Sequence, residues 1–335
     1  MAAWGQVSVA TAWLRLPSVI FAIATLVVLR PVARRVGGPA LAALAPPVAA
    51  VGPLFAWKAT EARAYSLETL IVCCSWYALL RAIEAEGDAD RRWWAALGAL
   101  ALAGTFSHGL FIVQLPPLAV VAVLAGRPRR AVLDLVPAAV AAGGTALWLH
   151  RAGAADIGTN VEGGVGVLVG STLEAFLSEQ VLLRLLLSQF VAIGAVLGVR
   201  AAVRTSDPTE RARLLVPVAW TVVPCVALGM LRAFDPVYNP RYLAPIGPGL
   251  ALLLVGAALA GDRWIRARTP ARREGGQRSR RRVLGPVAPG LAVLLLVVAV
   301  TERRAVDDDW RGAARLVARG ARAGDGLVFA NLSTK

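Results

Sequence analysis

Four groups of polar and ionisable residues break into a chain that is otherwise strongly apolar. The first is Trp57-Lys58-Ala59-Thr60-Glu61-Ala62-Arg63-Ala64-Tyr65, with Glu68 just beyond it. A helix beginning near Thr60 would set Glu61, Tyr65 and Glu68, at i, i+4 and i+7, on one face. Two carboxylates and a phenol on one stripe suit a metal ion, a phosphate held through a cation, or an acceptor hydroxyl. The plainer alternative is a solvated turn closed by a Lys58–Glu61 or Glu61–Arg63 ion pair, with Glu68 satisfying a neighbouring helix. The second group is Ser107-His108. An imidazole at a turn serves as a ligand, a base or a hydrogen-bond donor to phosphate, or else as a structural hydrogen-bonder. The third is Asp235-Pro236-Val237-Tyr238-Asn239-Pro240-Arg241-Tyr242. The planar fork of Arg241 matches phosphate oxygens, and a salt bridge to Asp235 is its structural alternative. Tyr242 is either a ligand contact or an interfacial anchor.

The fourth group spans 150–180 and contains His150, Arg151, Asp156, Glu162, Glu174 and Glu179. It is long and Gly-rich, and reads as a mobile substrate loop. Arg184, just inside the next apolar run, is expected to snorkel outward. Asp134, four residues after Arg130, is expected to form a helix-surface ion pair with it. Phosphate-binding Gly-rich loops, HExxH and paired CxxC motifs are absent from the sequence, so nothing in it points to ATP, NAD or a thiolate metal site. A divalent metal at Glu61 or His108 is the one cofactor these residue types allow. Cys73, Cys74 and Cys225 lie within apolar runs and read as small packing residues.

The elements that must position these residues are membrane-spanning in character. Of 335 residues, 57% are hydrophobic, with a mean hydropathy of +0.61. A soluble chain is nearer ~45–50% apolar. A helix needs ~20 mostly apolar residues to cross a ~30 Å hydrocarbon layer. Ten runs fit, near 16–30, 39–57, 64–80, 93–107, 109–126, 131–149, 181–199, 214–231, 242–260 and 283–301. The expected fold is therefore an all-α polytopic bundle over 1–301. After it, 302–335 reads as the beginning of a small α/β outer domain, with a helix over 309–323 and a strand over 327–330.

Charge orients the bundle. The net charge is +15, from 36 Lys and Arg against 21 Asp and Glu. Alternate connections hold 22 basic residues: Arg30, Arg34 and Arg35; Arg81, Arg91 and Arg92; Arg127, Arg129 and Arg130; Arg200, Arg204, Arg211 and Arg213; and nine arginines from Arg263 to Arg282. The connections between them hold five: Lys58, Arg63, Arg151, Arg232 and Arg241. By the positive-inside rule the first set, at 30–38, 81–92, 127–130, 200–213 and 261–282, is cytoplasmic. Basic residues facing anionic lipid account for the charge, and a nucleic-acid partner is not needed. The candidate groups above then share the outer side, and the N-terminus lies outside as well. No cleavable signal peptide is legible, so an earlier span and loop are expected to precede residue 1.

Several motifs taken in order resemble those of the GT-C-type membrane glycosyltransferases, in the branch of the protein O-mannosyltransferases and aminoarabinose transferase. They are Leu14-Arg15-Leu16-Pro17-Ser18, Arg34-Arg35-Val36-Gly37-Gly38, Glu61-Ala62-Arg63-Ala64-Tyr65, Ser107-His108, Pro240-Arg241-Tyr242-Leu243-Ala244-Pro245 and Asp309-Trp310-Arg311-Gly312-Ala313-Ala314. The likeness implies a sugar donor on a polyprenyl phosphate, held at the outer leaflet of the inner membrane. It implies transfer with inversion to a lipid, glycan or protein acceptor. It sets Glu61 and Arg63 beside the donor and makes Arg241 a phosphate ligand. The acidic base is expected in a first outer loop, upstream of residue 1. The chain departs from the pattern at Lys58-Ala59-Thr60, where an aromatic and Ser-Gln are usual, and at Gly109, where an aromatic is common. A transporter is the rival reading, although no internal repeat supports it. An inactive relative of the enzymes is the other. A reporter fused after Ala12 should map to the outer side, and a cytoplasmic signal would overturn the orientation.

Overall fold

The computed structural model describes residues 11–61, 63–151, 165–178, 180–231, 240–268 and 286–301. Within them the chain is helical throughout and has no strand. The helices are α1 (Thr11–Val51), α2 (Pro53–Thr60), α3 (Tyr65–Glu84), α4 (Asp88–Ser107), α5 (Leu115–Leu124), α6 (Pro128–Arg151), α7 (Val165–Phe176), α8 (Val181–Arg204), α9 (Pro208–Leu231), α10 (Gly247–Arg268) and α11 (Val287–Thr301). Two 3-10 segments, Gly109–Gln114 and Pro240–Ile246, lead into α5 and α10.

The described part of each apolar run is helical, although 39–57 is interrupted at Gly52 between α1 and α2, and 109–126 and 242–260 each begin in a 3-10 segment. Two runs share α1, which breaks at Gly37 and Gly38. Gly38 has φ 82°, a left-handed backbone that glycine adopts without a Cβ clash. Five helical stretches are long and apolar enough to cross a membrane: Trp13–Val51, Tyr65–Glu84, Val181–Arg204, Pro208–Leu231 and Pro240–Arg268. Their outward faces are apolar too. Leu182 is 70% exposed, and Val27, Val140, Val196 and Val203 also point away from the bundle. A water-facing helix would place polar groups there, so this pattern fits a lipid solvent.

α3 is the central post, packed against α4 on one side and α1 on the other. α10 packs on α1, α8 and α9. The core holds Trp76, Trp94, Trp220 and Phe111, all fully buried. Small residues let the backbones approach, the usual device where lipid offers no hydrophobic drive for helix association. A Cβ on Gly194 of α8 would lie 2.6 Å from the Leu253 carbonyl oxygen of α10. A Cβ on Gly249 would lie 2.8 Å from Trp220.

One end of the bundle is clasped by ion pairs. Glu84 at the end of α3 accepts from Arg35 Nε at 3.2 Å and faces Arg213 Nε of α9 at 3.2 Å. Arg35 also lies over the Tyr77 ring and Arg81 over the Trp93 ring, at 4.9 and 5.0 Å. Three of the arginine-rich connections thus meet at one end.

Three expectations fail locally. The 150–180 stretch is not all loop, because Val165–Phe176 forms α7. Val167 and Val169 are about half exposed, while Leu168 and Phe176 join the buried core and Leu173 packs against it. Arg184 does not reach outward on its own, since Nη1 donates to Glu174 Oε2 of α7 at 2.9 Å. Asp134 forms no ion pair with Arg130, and its Oδ2 is buried without a hydrogen-bond partner. It packs instead beside Gly98 of α4, whose missing side chain makes the room. The side chains of His150 and Arg151 lie outside the described residues, as do Asp156, Glu162, Glu179, Asp235 and the 302–335 tail. Gly194→Ala should force α8 off α10 and cost ~1–3 kcal/mol of stability. Thermal unfolding in detergent checks this, and an unchanged midpoint would refute the close contact.

Candidate functional site

The chain between α2 and α3 builds the first half of the site. Gly52 with Pro53 starts α2, proline at the first turn needing no backbone donor. α2 stops at Thr60, and Glu61 is extended at φ −87°, ψ 131°. The helix expected to start near Thr60 instead starts at Tyr65, so Glu61 does not share a helical face with Tyr65 and Glu68. Side chains hold the break. The Lys58 carbonyl accepts Ser66 Oγ at 2.8 Å and the Glu61 N–H at 3.4 Å. Ser18 Oγ donates to the Arg63 carbonyl at 3.5 Å, tying α1 to the same turn.

Lys58 is the side chain whose placement departs most from the sequence reading. It was placed only in a solvated turn, but it is 2% exposed. Its ammonium lies 3.6 Å from the Trp57 ring centroid and 4.6 Å from that of Tyr65. Such ring faces attract a cation. The Lys58 ammonium donates to Glu61 Oε2, and Arg63 Nε lies 3.0 Å from Glu61 Oε1. Both ion pairs foreseen in the plain reading exist together, around one carboxylate. A signal was present in the sequence. Lys58 is one of two lysines, with Lys335, in a chain that otherwise uses arginine, and it directly follows a tryptophan at the end of an apolar run. Lysine is the cation whose charge responds most readily to burial.

Burial does shift it. Loss of water pushes the Lys58 amine down from 10.5 to about 8. The hydrogen bond and charge of Glu61 oppose this, and the charges of Arg241 and Arg63 add to it. The sign is informative. A cation with a lowered folded-state value destabilises the fold while protonated, and that loss is recovered as pH rises from about 8 towards 10.5. At pH 7 the protein therefore carries a buried charge at a cost in stability, which is characteristic of functional groups.

The second half comes from two turns. His108 ends α4 in an extended conformation, and its Nδ1 accepts the Leu110 N–H at 3.3 Å. Gly104 allows the sharp reversal, because a Cβ there would meet the Phe111 ring at 2.2 Å. The His108 ring lies between Tyr65 and Tyr242, with centroids at 5.5 and 5.8 Å. Burial lowers its proton affinity, which favours the neutral ring. With Nδ1 accepting, the hydrogen sits on Nε2, which is a donor. Glu68 is fully buried beneath, with Oε2 3.8 Å from His108 Nδ1 and no hydrogen bond to either oxygen.

Arg241 and Tyr242 ride on the 3-10 segment before α10. Trp220 fixes that segment by donating Nε1–H to the Pro245 carbonyl at 2.8 Å, and stacks on Trp76 of α3 at 5.4 Å. Arg241 lies 5.9 Å from the Tyr242 ring. A small apolar cleft of about 20 Å³, partly open to the surroundings, lies between the start of α2 and the start of α10. Leu54, Phe55, Leu177, Gly247 and Leu250 contribute to its wall. It is thus flanked by the two segments that carry Lys58 and Arg241. Residues from four sequence motifs, Ser18, Glu61 to Tyr65, His108 and Arg241-Tyr242, are therefore drawn together at the end of the bundle away from Glu84.

The chain matches no known protein family, no characterised protein and no solved structure. The site must be read on its own chemistry. Among the described residues no three His, Cys, Asp or Glu side chains gather as metal ligands do. Glu61 faces Lys58 and Arg63, whereas His108 faces Glu68, so the two metal candidates lie in separate contacts. The cluster suits an anion: two cations around one carboxylate, a third within electrostatic reach, and a neutral imidazole donor. With only two lysines present, amine acylation read by mass spectrometry isolates Lys58. It should become half reactive near pH 8, while Lys335 follows an ordinary lysine near ~10.4. Equal titration of the two would contradict the burial argument.

Proposed function

We propose that the chain is an integral-membrane glycosyltransferase, moving a sugar from a polyprenyl-phosphate donor to a lipid, glycan or protein acceptor. The observation that carries this reading is the cluster of Lys58 and Arg63 around Glu61, with Arg241 of a distant segment within electrostatic reach of Lys58, beside aromatic rings and near an apolar cleft. A phosphate bearing a long hydrocarbon tail needs both a cationic cradle and an apolar wall, side by side. The motifs that resemble those of GT-C-type enzymes are the ones that supply these residues.

The chemistry follows from charge. The anomeric C–O bond to the donor phosphate breaks while the acceptor oxygen forms a new bond to that carbon, and the acceptor's hydroxyl proton ends on the departing phosphate. Negative charge grows on the departing phosphate oxygen. Preorganised cations and donors aimed at that oxygen lower the barrier, the more so where water is scarce. Lys58, Arg63, Arg241 and the Nε2–H of His108 fill this role. Tyr65 and Tyr242 offer ring faces for the sugar. No carboxylate of the cluster is assigned as the acceptor's base, because Glu61 is held by two cations and Glu68 is sealed from the surface.

The same reading makes the bundle a ten-span one in the inner membrane, with this site on the outer face. The arginine-rich connections joined at Glu84 and the basic-poor connections that hold the site alternate along the chain and lie at opposite ends. That is the arrangement a positive-inside topology requires. With a sugar-charged polyprenyl phosphate in proteoliposomes, Lys58→Ala and Arg241→Ala should each lower kcat/KM by ~10²–10³. Arg129→Ala, at a connection of the opposite side, should not. Wild-type rates in both site variants would refute the assignment.

A further inference from the structure

Glu61 stands in an unexpected place for a residue of an anion site. Its two oxygens engage the two cations that a phosphate would need, Oε2 with Lys58 and Oε1 with Arg63. The carboxylate is itself mostly sheltered, with 20% of its side chain exposed. It lies in the break between α2 and α3, not in a helix, so a change of its side-chain rotamer disturbs no backbone hydrogen bond. Lys58 by contrast is locked between the rings of Trp57 and Tyr65. Lys58 is the fixed partner, while Glu61 and the 55% exposed Arg63 stand on the irregular break.

We infer that Glu61 occupies, in the free protein, the position of the donor's phosphate, and that it must be displaced for the donor to bind. The inference rests on the lipid-phosphate reading above and adds a selectivity device to it. A buried ammonium without a counter-anion is costly, so the free protein needs a stand-in. The stand-in taxes every anion equally. If the closed pair outweighs the open form by about ten to one, any phosphate binds about tenfold more weakly than it otherwise would. Free phosphate brings only its charge and is held off. A phosphate with a hydrocarbon tail also buries apolar surface in the adjoining cleft and overcomes the same tax. Glu61 thus keeps soluble phosphates out of a strongly cationic pocket while admitting lipid-linked ones. The exchange makes and breaks no covalent bond; one oxyanion replaces another on Lys58 and Arg63.

The test uses the full chain in nanodiscs of neutral lipid, with inorganic phosphate and a polyprenyl monophosphate as probes. Glu61→Gln and Glu61→Ala should each bind inorganic phosphate at least about tenfold more tightly than the wild type. Equal or weaker binding by both variants overturns the inference. A measurement on the unmodified protein guards against variants that fail to fold. Carbodiimide labelling of Glu61 should rise when polyprenyl monophosphate is added, as the carboxylate leaves its pair. Unchanged or reduced labelling with the lipid bound overturns the inference while sparing the lipid-phosphate reading. Failure of the wild type to bind polyprenyl monophosphate at all would remove that reading and the inference together.

Discussion

A single buried ammonium constrains this end of the molecule. Lys58 gives up its water to sit between Trp57 and Tyr65, and a desolvated cation requires both ring faces and an anion to be tolerable. The anion comes from nearby: Glu61, three residues on, supplies it just past the end of α2 at Thr60. That ending leaves the Lys58 carbonyl without its helical donor, and Ser66 provides one. The start of α3 is fixed by the same contact, and with it the placement of Tyr65 against His108. The local break in helix, the ring stacking and the ion pairs are thus consequences of one burial.

The remainder of the bundle keeps that cluster closed on its other side. Trp220 spans from α9 to the Pro245 carbonyl and stacks on Trp76, so the turn bearing Arg241 is anchored to both α9 and the central post. Glycine makes this possible, since any side chain at Gly249 would push Trp220 away. Gly104 plays the same part for the His108 turn. Glu61, Arg63, His108, Arg241 and Tyr242 are therefore carried outside the α-helices, and tryptophan and phenylalanine pack behind the turns of His108 and Arg241.

Much of the helical layout was legible because bilayer-length apolar runs are a coarse signal, insensitive to where a helix caps. The alternation of arginine between connections was legible for the same reason, and it foretold which segments share an end. Finer features were not. The fraying of helix at Thr60 depends on a side chain eight residues away in the sequence meeting a carbonyl, which periodicity does not encode. α7 was hidden by its glycines and by the acidic residues around it, although Leu168, Leu173 and Phe176 were apolar enough to pack. Lys58 was discounted because a charged residue after an apolar run is ordinarily solvated, and its burial depends on rings contributed from both sides. Arg184 found Glu174 for a similar reason, the partner lying across a turn that sequence alone left open.

The clasp at Glu84 has a meaning for the order in which the molecule is made. Arg35 precedes Glu84 in the chain, so the first of its two ion pairs is available as soon as α3 emerges. Arg213 comes only after the whole middle of the chain, α4 to α8, has been synthesised. Until then Glu84 holds a carboxylate oxygen that has no cation of its own. The early helices therefore form a unit with an acidic vacancy at its edge, and α9 arrives carrying the charge that fills it. Assembly of the second half onto the first is guided by an electrostatic address laid down when the first was built.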